Sequence, residues 1–301
     1  MLKEIIRYTK NRINSARVKN GIYCFNFHQI ANEFIIGIHE KGIFTRTDNF
    51  VKFIKYLKSN FQIISIEDGI KINNSKLIKE RYAVITFDDG DSTILDAIEI
   101  CKSEAVYASF FVNSSYILRE TIDPLRLSNL IIHTHSDENT INNIKKLRYI
   151  LRNTQCSSEY ISTKNKILSY STNDMNEIIY SSYISEKNLF SENSLFINFG
   201  LHGHEHDRFI HLEKSAQKNS LLKNISFIKK SHRYLPIFAI PFGRPHDWNK
   251  TTIECCNELN LDYLLANTGV NNGSDIGLKR IPADNRDIIF ECKYGINIEN
   301  E

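Results

Sequence analysis

Apolar and polar positions along this chain switch repeatedly between a period of two and a period near 3.6, and the switching predicts an architecture. Residues 21 to 30, GIYCFNFHQI, are dense in aromatic and branched side chains and predict a short buried strand ending near His28. From Thr47 the spacing becomes helical: Thr47 or Asp48 is the expected cap, and Val51, Phe53, Ile54 and Leu57 form the apolar stripe. Phe61 to Ile66 predicts a strand, and Ala83 to Phe87 a second one that runs into Asp88-Asp89-Gly90-Asp91. Ile94, Ala97, Ile98 and Cys101 then keep a helical period, and Tyr107 to Val112 returns to strand character. Leu195 to Leu201 predicts a buried strand that delivers His202-Gly203-His204-Glu205-His206-Asp207. A helix over Leu221 to Lys230, a strand over Ile237 to Ile240 ending at Pro241-Phe242-Gly243-Arg244, a helix over Thr251 to Leu259 and a strand over Tyr263 to Ala266 follow, with a last strand end at Lys279-Arg280-Ile281-Pro282. Strands alternating with helices predict a parallel sheet with crossover helices, and such folds place their sites where strands end.

Residues 118 to 194 break this rhythm. They are rich in Asn, Ser, Thr, Lys and Glu, with one clear helical stretch at 141–151, and are expected to form a partly helical cap or side lobe inserted into a single domain spanning 1–301. The formal charge of +3 is spread along the chain without a basic stripe, which argues against a nucleic-acid partner. No stretch approaches the 18 or so apolar residues of a membrane span, so no stable membrane insertion is expected. The opening twelve residues are amphipathic and charged rather than signal-like, which gives an expectation of a cytoplasmic protein. The six cysteines show no Cys-x-x-Cys spacing and are expected to be reduced and mostly buried.

Two clusters carry candidate chemistry. An Asp-Asp-Gly triplet by itself is an ordinary solvated turn, and a His-x-x-x-His spacing by itself is a common accident of a surface. Here each follows a buried apolar strand, so a parallel barrel would bring them together. Two imidazoles four residues apart, on one side of a helical turn, plus one carboxylate make an open site suited to a hydrolytic zinc or a similar divalent ion.

Thr86-Phe87-Asp88-Asp89-Gly90, His202-Gly203-His204-Glu205-His206 and Phe238-Ala239-Ile240-Pro241-Phe242-Gly243 resemble the first three signature motifs of the polysaccharide deacetylase family, the NodB-like metal-dependent sugar deacetylases. Phe27-His28-Gln29-Ile30, with the helix from Asp48 to Leu57 and Ile64-Ser65-Ile66-Glu67, is similar to the opening of one branch. The resemblance covers about residues 21–115 and 195–285. It implies an α/β fold, a distorted (β/α) barrel of seven or eight strands, that removes acetyl groups from acetamido sugars. Carried over by position, Asp88 is the catalytic base, and Asp89, His202 and His206 hold a divalent ion, Zn2+ first, with Co2+, Ni2+ or Mn2+ as alternatives. The Phe242 N–H becomes the oxyanion donor and its ring a wall for the sugar. His204 alternates with the two ligands and is expected to point elsewhere, and Asp91 is expected to cap a turn or helix.

This chain also departs from the family pattern. Where well-known members carry an arginine two residues before the motif proline, it has Ala239, and Arg280 at a later strand end is the candidate to supply that charge. A C-terminal Leu-x-His is missing, which leaves His28 as the preferred general acid and His246 as the next choice. The expected partner is an acetylated sugar that is nucleotide-linked, lipid-linked or part of a surface glycan, with Phe242 and Trp248 available for stacking. Two other readings follow from the departures: an inactive relative that binds sugar or a partner, and a barrel hydrolase acting on a non-sugar C–N bond.

Overall fold

Residues two apart in a strand share a face, and in this chain the two faces of each strand meet different company. The computed structural model describes residues 20–265, 269–273 and 277–284. The opening twelve residues, Ala266 and Cys292 lie outside them. The strands are β1 Gly21–Phe27, β2 Gln29–Ala31, β3 Phe44–Arg46, β4 Gln62–Ile63, β5 Arg81–Phe87, β6 Ala108–Val112, β7 Ile197–Leu201, β8 Tyr234–Ala239, β9 Asp262–Leu265, β10 Leu278–Lys279 and β11 Ile281–Pro282. β2 and β3 pair only with each other. The rest form a parallel sheet in the order β10, β9, β8, β7, β6, β5, β1, β11, with β4 beside β5. β10 and β11 are separated only by Arg280, and one pairs with β9 while the other pairs with β1. The eight-strand path therefore curls into a nearly closed, distorted (β/α) barrel.

The period-two pattern places the site. Ile22 and Cys24, Val84, Phe111, Ile237, Leu264 and Leu278 form one buried cluster that fills the barrel. Two residues further along the same faces stand Asn26, Thr86, Ala239 and Arg280, and two beyond Thr86 stands Asp88. The interior is therefore apolar below and polar at the strand ends, as a barrel enzyme requires. Gly200 belongs to this interior face, because a Cβ there would lie 2.5 Å from the Phe111 ring. The alternate residues face outward under the helices. Register sets Phe27 beside Phe87, Phe87 beside Phe110 and Phe110 beside Phe199, and their rings form a ladder with centroids 5.6, 4.6 and 6.0 Å apart. Each such buried phenylalanine contributes about 1.5–3 kcal/mol of transfer free energy.

Three local expectations change. The helix Thr47–Asn60 starts after Arg46, with no side-chain cap, and buries Phe50 where Val51 was expected. Only Gln62–Ile63 of the segment 61–66 is a strand; Ser65 accepts a hydrogen bond from the Asp68 N–H and starts the helix Ile66–Ser75 instead. The segment 118–194 is mostly helical, with helices Pro124–Thr134, Glu138–Asn153, Ser157–Leu168, Asn173–Ser181 and Glu186–Ser191. Its polar residues are largely explained by capping, since Asp123, Asp137, Thr172 and Ser185 each accept first-turn N–H groups. Apolar stripes in these helices are thin, for example Tyr160, Thr163 and Ile167 in Ser157–Leu168. Their buried residues Leu127, Ile144 and Ile167 nonetheless join the same core cluster as Phe25 and Phe87.

A buried ion pair ties this segment to the barrel. Arg208 donates Nε to Asp247 at 2.7 Å, both side chains are fully buried, and its Nη1 donates to the Thr154 carbonyl. Removing one partner of such a pair leaves a charge without compensation. Arg208→Ala is expected to destabilise the fold by about 3–5 kcal/mol in denaturant titration, and a loss below about 1 kcal/mol would contradict this account of the pair. Of the described cysteines, Cys24, Cys101, Cys255 and Cys256 are free and buried, and Cys156 is free and exposed.

Candidate active site

A cleft of about 440 Å³ opens at the strand ends, lined among others by His28, Asp88, Asp89, His202, His206 and Phe242. The loops after β5, β7 and β8 that carry these residues share a backbone feature. Asp89, His206 and Phe242 have φ of +72°, +53° and +59°, and Gly90, Gly203 and Gly243 of the same loops are also at positive φ. Non-glycine residues in this region cost about 1–3 kcal/mol each and persist where the surroundings dictate them, commonly at functional sites. Gly203, at φ +79°, makes the turn that lets two histidines four apart converge without a helix. The expected helical turn over 202–206 is therefore replaced by a loop.

Asp89, His202 and His206 come together with one donor atom from each, all within 4.8 Å of one another. Asp89 Oδ1 lies 3.3 Å from His202 Nε2 and 3.4 Å from His206 Nε2, and it is buried without a hydrogen bond. Ligands about 2.1 Å from a common ion at tetrahedral angles stand about 3.4 Å apart, so this spacing and this orphaned acceptor fit a cation. His202 Nδ1 donates to the Ala239 carbonyl at 2.8 Å, which leaves the Nε2 lone pair aimed at Asp89. Burial lowers the His206 pKa against the pull of Asp89. Burial would raise the Asp89 carboxyl, but His206 and His202 hold it well below the carboxylate range. Both shifts favour the form that binds a metal. His204 points away, to Ser114 Oγ at 2.9 Å and Glu120 at 3.1 Å.

Asp88 sits beside this trio with a different set of partners. Arg280 donates Nη1 to Asp88 Oδ1 and Nη2 to Oδ2, both at 2.7 Å, and Asn26 Nδ2 donates to Oδ2 at 3.1 Å. Burial would push the Asp88 carboxyl up, yet the Arg280 guanidinium and His202 hold it below its ordinary value. The Arg280 guanidinium, 5.9 Å from the centre of the Phe111 ring, thus brings to Asp88 a charge that Ala239 does not offer. Asn26, which sequence reasoning missed, also accepts from Arg280 and Thr86 through Oδ1. Its period-two placement with Cys24 was the available signal.

His28 stands at the cleft wall with a second missed residue, Asp284. The His28 N–H donates to Asp284 Oδ1 at 3.0 Å, and Nδ1 and Oδ2 are 2.5 Å apart. Burial by itself would lower the His28 pKa, but Asp284, with Asp89 and Asp88 behind it, raises it to about 9. Asp284 is also raised, by burial first, against the pull of His28. The two shifts describe one proton shared by the pair and kept there at neutral pH. His246 is exposed with Asp247 4.0 Å away, so it is not brought to the cleft. Trp248 packs against the cluster of Leu201, Phe209 and Phe238 instead of lining the cleft. Phe242 does line it, with its ring 4.8 Å from that of His206.

The inserted helices complete the wall. Arg126 reaches Asp91 at 2.6 Å and Ser182 Oγ at 2.8 Å, and Gln29 Nε2 donates to the same Asp91 carboxylate at 2.8 Å. Asp91 also accepts from the Thr93 N–H at 2.8 Å, a turn contact ahead of the helix Ile94–Ser103, whose N-cap position is Thr93. Tyr160 and Lys164 bond to Asp207 at 3.0 and 2.7 Å and brace the loop that carries the two histidines.

No model of a known protein family matches the chain, and no curated protein matches it by sequence. Solved structures do match. The deacetylase PplD of Streptococcus pyogenes, in complex with acetate, superposes with a TM-score of 0.59 at 15% identity, over 88% of this chain and 92% of that one. A de-N-acetylase from Aggregatibacter actinomycetemcomitans gives 0.58 at 12%, over 87% and 95%. IcaB from Ammonifex degensii gives 0.59 at 12%, over 91% and 95%. At these identities the likeness shows the fold, which this chain shares with these three proteins.

Proposed function

We propose that this chain is a metal-dependent N-deacetylase of the NodB-like polysaccharide deacetylase family, acting on an acetamido sugar. One observation carries the reading: the buried carboxylate Asp88, clamped by Arg280, stands beside the separate Asp89, His202 and His206 trio in one cleft. A sugar-binding module has no use for a second, fixed carboxylate next to an ion site, which disfavours the inactive-relative reading. The three named structural matches include two called deacetylases or de-N-acetylases, and this supports the choice of bond.

Asp89, His202 and His206 would hold the ion, Zn2+ by the N/O donor set. When bound, it would polarise the acetyl carbonyl and lower the pKa of an attacking water. Asp88 stays anionic beside Arg280 and takes the proton of that water, a task within reach of a weakly basic carboxylate when the water is acidified. The Phe242 N–H donates to the developing oxyanion, and its ring bounds the sugar. His28, charged through its bond to Asp284, delivers a proton to the leaving amine nitrogen. The test is acetate release from a panel of N-acetylated sugars and sugar conjugates by the zinc-loaded protein; no release from any of them would reject the reading.

The His28 pair makes a pH prediction. With its pKa raised to about 9, His28 keeps the proton below that value and loses it above. The proton's contribution to folding stability is likewise full below the unfolded value near 6.5 and is lost as pH rises through about 9. The kcat/KM profile is therefore expected to hold up to about pH 9 and then fall. Asp284→Asn removes the main raising charge and is expected to move this alkaline limb down by about 1–3 units. An unmoved limb would remove His28 from the acid role.

A further inference from the structure

Two ion clusters meet on the side of the cleft built by the inserted helix Glu138–Asn153 and the loop after β8. In the first, Glu40 pairs closely with Arg148 at 2.6 Å, and Arg152 stands 3.9 Å from the same carboxylate. In the second, Asp247 serves both Arg208 at 2.7 Å and Arg244 at 2.9 Å. The clusters touch, because Arg244 Nη2 donates to the Arg152 carbonyl at 2.7 Å. Four guanidinium groups thus share two carboxylates, an excess of two positive charges on one wall. Part of that charge caps the helix C-terminus, where the Arg152 and Thr154 carbonyls accept from Arg244 and Arg208.

Arg152 and Arg244 both line the cleft that holds Asp88 and Asp89. Glu40 is already satisfied by Arg148, so the Arg152 guanidinium is held without a close anion, with its side chain 42% exposed. Burial first, and the like charges of Arg148 and Arg244 after it, lower its pKa against the pull of Glu40 and Asp89. Arginine's planar fork suits bidentate contact with a phosphate or carboxylate. A group carrying close to two negative charges matches the excess of two, which favours phosphate.

We propose that Arg152, with Arg244 beside it, forms a subsite for a phosphoryl group attached to the substrate sugar. The acetamido sugar is then presented as a sugar phosphate or diphosphate conjugate instead of a neutral chain. This rests on the deacetylase reading above and narrows its substrate class. The subsite is supplied by the inserted segment and the loop after β8, while the reaction chemistry sits on the strand ends.

The test measures binding and turnover separately. N-acetylglucosamine 1-phosphate and the neutral methyl glycoside of N-acetylglucosamine are titrated calorimetrically into zinc-loaded wild type, Arg152→Gln and Arg152→Lys. The wild type is expected to bind the phosphate at least about tenfold more tightly than the glycoside. Arg152→Gln should lose most of that preference and Arg152→Lys should keep part of it, with unchanged thermal melting showing that each variant folds. Equal binding of both ligands by wild type, or a preference that survives in Arg152→Gln, overturns the subsite. Acetate release from a nucleoside diphosphate sugar and a short prenyl diphosphate sugar then identifies the carrier. Where acetate is released, a gain over the neutral glycoside that depends on Arg152 with either conjugate supports the subsite, and release without any such gain overturns it. If the Arg152-dependent binding stands but no sugar is deacetylated, the deacetylase reading falls and the subsite remains.

Discussion

Asp88→Asn is expected to lower kcat/KM for acetate release by about 10³-fold, because it removes the carboxylate that Arg280 fixes beside the ion site without being one of its donors. The substitution preserves volume while inverting part of the hydrogen bonding. Arg280 donates to both carboxylate oxygens, and an amide nitrogen in place of one of them would set a donor against a donor. A stability loss of about 3 kcal/mol accompanies the change, since the buried Arg280 keeps its charge and loses its counter-charge. Zinc content separates a base from a ligand: the variant should still bind one ion per chain, as Asp88 lies outside the trio that offers its donors to it. Activity within about tenfold of wild type would assign the proton transfer to another group.

Exhaustive chelation is expected to abolish acetate release, and added Zn2+ or Co2+ to restore it. His206→Ala should stay inactive after the same treatment. The argument comes from Asp89 Oδ1, a buried acceptor with no donor, facing two imidazole nitrogens at 3.3 and 3.4 Å. Such an arrangement is unfavourable unless a cation completes it. Binding should therefore also stabilise the fold, by about 4 kcal/mol when the ion is present at a thousand times its dissociation constant. That gain, read as a rise in melting temperature, should vanish in His206→Ala. Undiminished activity after the ion has been shown to be gone would reject the metal mechanism.

Much of this was legible in the chain. Strands with strong β-formers, such as 83–87 and 197–201, announced themselves, and the polar residues at their ends fell where a parallel barrel gathers them. The trio and Asp88 were visible because each stands in a short, ordered motif. Asp284 and Asn26 were not, because each is an ordinary polar residue whose role exists only through a partner 256 or 62 positions away. Apart from the stretch 141–151, the inserted helices were hidden for another reason: thin stripes of buried residues among many cap-forming side chains, as in Ser157–Leu168, carry little periodic signal. Arg280 was read from what Ala239 lacked, and the pairing of β10 with β9 and of β11 with β1 explains how a residue between them reaches Asp88. The positive-φ turns at Asp89, His206 and Phe242 leave no mark in composition or period.

The segment from β10 to β11 has a consequence for how activity appears during folding. It pairs with β9 through one half and β1 through the other, and Arg280 lies between the halves. The guanidinium that clamps Asp88 is 192 residues away in sequence, and Asp284, the proton partner of His28, is 256 residues away. Contacts of such separation form late, after the long loops between them have been closed. A chain still emerging from synthesis, or one whose ring has not shut, would have its histidines and aspartates near each other without the groups that set their charges. On the deacetylase reading, competence to react is then expected only on completion of the fold, with partly folded intermediates inactive.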